Sequence, residues 1–492
     1  MKAPVRWLVG LLLAASAALP QMRVVTLPGK SPLVTFRIVF TTGSDADPAD
    51  KPGLAYMTAM MLAGGGSRTM PYQKIADAMF PMAASLGVQV DKEMTVFRGA
   101  THVENLEEYY RLVRGMLLDP GWREDDFRRI KDDAINALRV GLRSNDEELA
   151  KEVLYQNIYD GTPYGHYAGG TISSLEKILL EDVQRFYRSQ YSQSHLILGI
   201  AGGHSPVFFE RVKQDFRSLP AGAGFRPRRK APAMIPSTRM VIVDKDTRSV
   251  AYSIGYPISV TRQYSDYAAL LVASSYFGEH RTSGGVLYDE VREKRGLNYG
   301  DYSYIEYFPR GMYQMEPSPN LARHYQIFQM WIRPVAPETA KFALRLALYE
   351  LAKLVKEGVP QDGFERTRAF LSKHVNVLTR TKPAELGYAI DSMYYRIPNY
   401  NEYLKTALAK LTREDVNAAI CRHLRPGRLV IVAVAQNGEA LKQQLASAEP
   451  SPMTYNGPKP ASVAEADKTV ANWPLDLRPE DIAVVPLAEV FQ

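Results

Sequence analysis

The sequence contains almost no cysteine, since Cys421 is the only one in 492 residues. An intramolecular disulfide is therefore impossible, and the fold must be stabilised by its hydrophobic core. Cys421 lies in a stretch with helical character. A lone thiol in such a stretch is expected to be buried and structural, and not a nucleophile.

Long hydrophobic runs are also lacking after the first twenty residues. At the N-terminus, Lys2 and Arg6 precede an apolar stretch over residues 7–19, and Ala15-Ser16-Ala17 offers a small-x-small cleavage site. This layout is typical of a secretory signal peptide, and the stretch is short for a membrane span; an uncleaved anchor is the alternative. We expect residues 1–20 to be a signal peptide. The mature chain should then be exported, most simply to a bacterial periplasm, with no membrane span.

A strong excess of one charge is absent as well. Lys and Arg number 60 against 53 Asp and Glu, a net charge of +7 that is spread along the chain. No basic run is interleaved with aromatic residues, so the sequence gives no sign of nucleic-acid binding. With 46% hydrophobic and 23% charged residues the chain is an ordinary globular one, and its length predicts at least two domains.

One segment of the chain occurs twice. Glu181-Asp-Val183 returns as Glu414-Asp-Val416, an offset of 233 residues, and the same offset carries the apolar stretch from Leu196 onto the one from Leu429. Each copy has the pattern of an acid-started helix, a turn and a strand. The sequence therefore predicts an α+β fold of two similar halves, each a mainly antiparallel sheet packed with helices.

Composition places the boundaries between these parts. A segment rich in Gly, Pro and charge, residues 221–236, predicts a linker between an N-terminal domain at 22–220 and a C-terminal domain at 237–445. After residue 445 the sequence turns to Ala, Ser, Pro and Glu, which predicts a loosely attached tail over 446–492. Within the first domain, Glu147, Glu148 and Glu152 are expected to form a solvated helical face.

Paired histidines are the most informative absence. Of the eight histidines, none stands three or four residues from another, so no H-E-x-x-H helix exists. Yet Gly53–Leu62, followed by Gly64-Gly-Gly-Ser67, resembles the zinc helix of the pitrilysin/insulinase metallopeptidase family, which includes the mitochondrial processing peptidase. In that family the helix carries H-x-x-E-H, two imidazoles on one face and a Glu that activates the metal-bound water.

The resemblance assigns four positions to the zinc site. Tyr56 and Met60 stand at the two His positions, Ala59 at the Glu, and Asn136 at the third ligand, a Glu on a later helix of the family. None of these four side chains suits catalytic zinc. The resemblance therefore implies that this chain has no metal cofactor of its own, and that any zinc belongs to a partner subunit.

A second family motif is retained. The segment Gly284–Gly300 resembles the family's C-terminal motif, in which an Arg on a helix is followed seven positions later by a Tyr, and Arg292 and Tyr299 match that pair. The resemblance implies catalytic roles, with both side chains donating hydrogen bonds to a peptide carbonyl and its oxyanion. We expect them to point into a cleft, unpaired in their own chain. The alternatives are a surface ion pair of Arg292 with Asp289 or Glu293 and simple strand packing for Tyr299.

These motifs favour one function over two others. The chain resembles the non-metal subunit of a two-chain zinc peptidase, inactive alone, whose expected partners are a homologous zinc-bearing subunit and peptide substrates. The alternative is a catalytically inactive scaffold or peptide-binding protein, like the family's core subunits in the respiratory cytochrome bc complex. An independent hydrolase has no support, because no G-x-S-x-G or comparable nucleophile motif occurs.

Overall fold

A computed structural model describes residues 22–222 and 230–492, and two β-sheets organise them. The first sheet has the strand order β1-β5-β2-β4-β3 and the second the order β11-β6-β10-β7-β9-β8. The strands are β1 Arg23–Pro28, β2 Leu33–Phe40, β3 Gly87–Val90, β4 Thr95–His102, β5 Leu196–Gly202, β6 Arg239–Asp244, β7 Val250–Ile258, β8 Asp301–Tyr304, β9 Gln326–Val335, β10 Val430–Ala435 and β11 Ile482–Pro486.

The two sheets have the same topology. The two strand orders correspond strand by strand: β1 matches β6, β5 matches β10, β2 matches β7, β4 matches β9 and β3 matches β8. The second sheet has β11 as an additional edge strand. Among the equivalent strands, only β1 with β5 and β6 with β10 pair in parallel, and the added β11 also runs parallel to β6. The repeated strands Leu196–Gly202 and Val430–Ala435 thus occupy equivalent positions, and the predicted α+β duplication is confirmed.

The helices surround the sheets and follow the same repeat. They are α1 Leu54–Gly64, α2 Tyr72–Met79, α3 Leu106–Leu118, α4 Glu124–Asn136, α5 Asp146–Ile158, α6 Ile172–Lys177, α7 Leu180–Gln190, α8 Pro206–Phe216, α9 Tyr267–Gly278, α10 Ala340–Glu357, α11 Gln361–Leu378, α12 Lys382–Tyr395, α13 Tyr400–Lys410, α14 Arg413–His423, α15 Gly438–Ala446 and α16 Ala461–Ala471. The repeated Asp explains the sequence match at α7 and α14. Asp182 accepts the amide of Leu179 and Asp415 that of Thr412, both at 3.0 Å, so each ties down the start of its helix.

The two halves are interlocked by an exchange of helices. Helix α5 belongs to the first half of the chain but packs on β7 and β10 of the second sheet, while α12 belongs to the second half and packs on β1, β2 and β5 of the first sheet. In the second contact Leu386 and Ile390 are fully buried in one apolar cluster with Val39, Val96 and Ile197. Each sheet therefore has a face covered by the other half, which buries apolar surface that neither half could cover alone.

This exchange overturns the expected solvated face on α5. Glu147, Glu148 and Glu152 are each less than 10% exposed, because the helix is enclosed by the second sheet. Their charges meet partners from that half or from the same helix. Glu147 accepts from the Arg333 guanidinium at 3.2 Å, and Glu148 lies 3.3 Å from the Lys151 ammonium. A run of acids here marks a buried ionic contact and not a helix facing water.

Cys421 also differs from its expectation, because its side chain is exposed. The buried face of α14 is formed by Val416, Ala419 and Ile420. Residue 421 follows this face by one position, and successive helical residues are about 100° apart, which turns the thiol outward.

The expected loose attachment of the tail 446–492 is wrong. It forms helix α16 and strand β11, which adds to the second sheet alongside β6. Its end returns to the first half, where the Ile172 amide donates to the carbonyl of Phe491, and the ring of Phe491 lies 5.5 Å from that of Tyr167. The polar composition of the tail does not prevent it from packing, because a few apolar residues are enough to anchor it. Among these are Val470, Ile482 and Phe491, all of which are buried.

Some predictions concern residues outside the described ranges. The predicted signal peptide at 1–20 lies outside these ranges, and so do residues 223–229 of the predicted linker 221–236. The domain limits 22–220 and 237–445 stay a division made from the sequence. Within 22–222 and 230–492, no helix combines the length and apolarity needed to cross a membrane.

Candidate active site

The helix that resembles the zinc helix of the family is α1, and it is packed as core. Ala59 is fully buried, while Tyr56 and Met60 are partly buried and pack against the apolar core. The helix begins after Gly53, whose φ of 92° and close approach to the backbone of Gly170 leave no room for a Cβ. The positions that the sequence analysis assigned to zinc ligands on α1 therefore carry apolar or weakly polar side chains that pack in the core.

Tyr56 faces charged residues from both halves. Burial raises the pKa of its phenol, and the nearby charge of Arg310 opposes that rise while Asp133 of α4 adds to it. Arg310 comes from the loop between β8 and β9, and its backbone amide donates to Glu148 at 3.0 Å. The surroundings of Tyr56 are therefore those of a neutral, buried tyrosine and not those of a ligand to a cation.

The position assigned to the third ligand, Asn136, is the last residue of α4 and is exposed. It lines a shallow surface depression together with Asp132, Arg139 and Glu176. Across the described residues, no three His, Cys, Asp or Glu side chains converge as a metal site. A phenol, a methyl group, a thioether and an exposed amide are not the donor set that zinc requires, so the zinc of the family does not fit this half.

Arg292 and Tyr299 lie in the second half, where a helical segment ends. Arg292 belongs to a π-helical turn over Tyr288–Glu293, and such turns are frequent at functional sites. Gly296, with φ of 69°, ends this segment by donating to the carbonyl of Arg292 at 2.7 Å. Residues 297–300 form a tight loop, and the following strand begins at Asp301.

Tyr299 is 75% exposed, and no hydrogen bond to its hydroxyl is found among the described residues. Arg292 is less free than expected. It donates to the backbone carbonyl of Tyr299 at 3.2 Å, its guanidinium lies over the rings of Tyr288 and Tyr299, and Glu293 is 3.8 Å away. The structure therefore brings Arg292 and Tyr299 together, but with the guanidinium held by its own chain. No described contact joins either residue to Tyr56, Ala59, Met60 or Asn136.

The side chains that hold this segment in place were not predicted from the sequence. Arg295 is buried and donates from Nε to Asp467 of α16 at 2.8 Å and from Nη1 to Glu290 at 2.7 Å. Val291 is fully buried against Phe342 and Val470. The tail helix α16 therefore packs against the segment that carries Arg292. In the sequence, only the spacing of the apolar residues Val463 and Val470 indicates that this helix packs on the rest of the chain.

A buried carboxyl fixes the loop that carries Tyr299. Asp301 accepts from the Asn298 amide at 2.7 Å and from the Arg333 backbone at 3.0 Å, while its second oxygen has no partner among the described residues. Burial raises the pKa of Asp301 to about 7. The carboxyl is therefore largely protonated in the folded chain below neutral pH, which lowers the cost of the second oxygen's burial.

This shift predicts a dependence of stability on pH. The pKa of Asp301 is raised from 3.8 to about 7, so between those values the folded chain holds a proton that the unfolded chain has lost. Its contribution to the free energy of unfolding therefore falls as pH rises through that window. Relative to wild type, Asp301→Asn should gain stability between pH 5 and pH 8, by an amount on the order of 1–3 kcal/mol. Urea unfolding at both pH values measures it, and a difference that stays constant with pH would contradict the assignment.

The comparisons with known proteins agree with this fold. Residues 23–171 match the profile described as Insulinase (Peptidase family M16), and residues 177–371 match that of the Peptidase M16 inactive domain. A duplicated α+β chain of this topology, matched over most of its length, defines the class of the protein. The chain belongs to peptidase family M16, the pitrilysin/insulinase family, as the sequence motifs predicted.

Individual relatives are distant. The chain is 22% identical over 419 residues to the "Non-peptidase homolog YmxG" of Helicobacter pylori, covering 82% of this chain and 89% of that protein. A peptidase M16 inactive domain from Pseudomonas fluorescens superimposes with a TM-score of 0.74 at 23% identity, over 85% of this chain and 96% of that one. The periplasmic protease PqqL of Escherichia coli gives a TM-score of 0.67 at 13% identity, over 92% of this chain and 50% of that one. These likenesses establish the fold alone.

Proposed function

We propose that this chain is the non-zinc subunit of an exported two-chain zinc peptidase. In this proposal Arg292 and Tyr299 bind the scissile carbonyl and stabilise the oxyanion in a composite site, and a homologous zinc-bearing subunit supplies the metal. The chain alone is inactive. The periplasm of a bacterium is the expected location, and the likeness to half of the periplasmic protease PqqL of Escherichia coli supports it.

The exposed hydroxyl of Tyr299 carries the proposal. A tyrosine that served only packing would bury its ring, whereas this side chain is 75% exposed next to a guanidinium on a braced segment. The surrounding region buries polar groups, which lowers stability. Arg295 is buried between Glu290 and Asp467, and Asp301 is buried with one oxygen unpaired among the described residues. Buried polar groups that hold Arg292 and Tyr299 in place at the surface support a binding role for these two residues.

The chemistry follows from the two donors. A phenol hydrogen bond to a carbonyl oxygen strengthens as that oxygen becomes an oxyanion, which selectively stabilises the transition state. The guanidinium is charged throughout and can hold the carbonyl in the ground state as well. For Arg292 to do so, it must give up its bond to the carbonyl of Tyr299, an exposed contact of low energetic cost.

The alternative is a catalytically inactive scaffold or peptide-binding protein. It is favoured by the likeness to the Helicobacter pylori protein whose name calls it a non-peptidase homolog, and by the partners that Arg292 has in its own chain. A scaffold would not depend on the hydroxyl of Tyr299.

Titration of this chain into a zinc-bearing partner tests the proposal. The partner is a homologous exported chain of the same organism with an intact H-x-x-E-H, and the measurement is hydrolysis of an unstructured casein peptide. Turnover should rise from near zero to a plateau at equimolar ratio. A partner that is fully active alone, and unchanged on titration, would contradict the helper role and leave the scaffold.

A further inference from the structure

The duplicated sheets differ in one connection. In the first sheet the edge strand β3 leads to β4 through the short turn 91–94, whereas in the second the equivalent strands β8 and β9 are joined by the long loop 305–325. Since the topologies are otherwise the same, the loop is an insertion on one side of a symmetric pair. Its contacts indicate what it does.

The loop holds the equivalent turn of the other half. Arg323 is 1% exposed and makes a two-pronged ion pair with Asp91, with Nε donating at 2.7 Å. The next residue, His324, donates its backbone amide to Glu93 at 2.8 Å, and its ring nitrogen Nδ1 lies 2.6 Å from the same carboxylate. Tyr164 and Tyr394 also bond to Glu93, one from each half.

The loop 305–325 makes further contacts with the first half of the chain. Gln89 of the edge strand β3 donates its side-chain amide to the carbonyls of Pro319 and Asn320, at 3.3 and 3.1 Å. Asn320 is fully buried and accepts from the Arg37 guanidinium on β2 at 2.9 Å. Near the other end of the loop, the Tyr307 hydroxyl donates to Glu152 at 3.0 Å. The loop is thus tied to β2, β3, the turn 91–94 and α5.

We propose that the loop 305–325 is an intramolecular clasp that keeps the two halves of this chain closed on each other and the edge of β3 covered. An extended peptide binds a sheet by adding to an exposed edge strand. The two bonds of the Gln89 side chain hold the loop beside β3, and the buried Arg323–Asp91 pair opposes release of the loop, because separating two buried charges exposes each without its partner. The edge of β3 therefore takes up no peptide, and a peptide that meets Arg292 and Tyr299 is held by the partner subunit.

A cross-link across the clasp tests this. In a Cys421→Ser background, Gln89→Cys and Ser318→Cys place thiols on β3 and on the loop, where a short bismaleimide replaces the two bonds of Gln89. The single-cysteine chains are the matched controls. We expect the cross-link to form in most molecules. The cross-linked chain should stimulate the zinc-bearing partner as fully as the unlinked one, an arm that rests on the proposed function.

A second readout needs no partner. Fluorescence anisotropy with a fluorescein-labelled casein peptide should detect no binding to the chain alone, linked or unlinked. Failure of the cross-link, loss of stimulation on cross-linking, or peptide binding by the chain alone, linked or unlinked, would each overturn the clasp. If the unlinked chain stimulates no partner, the proposed function fails, while the cross-linking yield and the anisotropy still decide the clasp.

Discussion

In the complex with the zinc-bearing partner, Tyr299→Phe should lower turnover of a peptide by about 10²–10³-fold, the usual effect of losing one oxyanion donor. The substitution removes one hydroxyl and keeps the ring, which is exposed, so the fold should be unaffected. Peptide affinity should change little, because the lost bond strengthens mainly in the transition state. Steady-state kinetics of the reconstituted complex separate the two effects through kcat and KM.

Tyr264→Phe is the matched control, since Tyr264 is another exposed tyrosine of the same half, 47% exposed, and should leave turnover unchanged. Arg292→Ala should impair both turnover and affinity, because a guanidinium also holds the ground-state carbonyl. If Tyr299→Phe behaves like Tyr264→Phe, the hydroxyl has no catalytic role and the scaffold function remains.

Arg323→Met should lower the free energy of unfolding by about 3–5 kcal/mol, the largest effect on stability that we expect from a single substitution. The side chain is 1% exposed in its ion pair with Asp91 and lies 3.7 Å above the ring of Tyr307. Removing the guanidinium leaves the carboxylate of Asp91 buried without its partner. Urea unfolding followed by circular dichroism measures the loss.

Two further variants separate the ion pair from general packing. Arg68→Met removes an exposed arginine, 70% exposed and paired with the half-exposed Asp119, and should cost about 0–1 kcal/mol. Asp91→Asn combined with Arg323→Met should recover part of the loss, because neither charge of the pair is then left buried without the other. Equal costs for Arg323→Met and Arg68→Met would show that the Arg323–Asp91 pair is open to solvent.

Local sequence was sufficient for the features that depend on local chemistry. The offset of 233 residues was readable because Asp182 and Asp415 perform the same task at the starts of α7 and α14. The absence of paired histidines can be seen in the sequence itself, and two imidazoles one helical turn apart are indispensable for a zinc helix of this kind. The hydrogen bond from Arg292 to the backbone carbonyl of Tyr299 could not be predicted from the sequence, since it depends on how the loop to Tyr299 folds back.

The remaining features depend on contacts between distant residues. The burial of Glu147 on α5 could not be predicted because its partner Arg333 lies 186 positions away in the sequence. The tail looked loose because the residue that fixes α16 beside Arg295 is a single aspartate, Asp467, 172 positions away. Likewise the clasp joins Asp91 to Arg323 across 232 positions, and no periodicity in one segment can reveal it.

Zinc content and activity, measured on the same chromatographic fractions, test the central claim most directly. The chain alone, the partner alone and their equimolar mixture are separated by size-exclusion chromatography, and each peak is assayed for zinc and for casein-peptide hydrolysis. We predict no stoichiometric zinc and no hydrolysis in the peak of this chain. The mixture should give a heterodimer peak with about one zinc per pair, and hydrolysis should coincide with it, because the partner alone supplies the ligands. About one zinc per chain in the peak of this chain alone, lost together with a hydrolytic activity on chelation, would contradict the account.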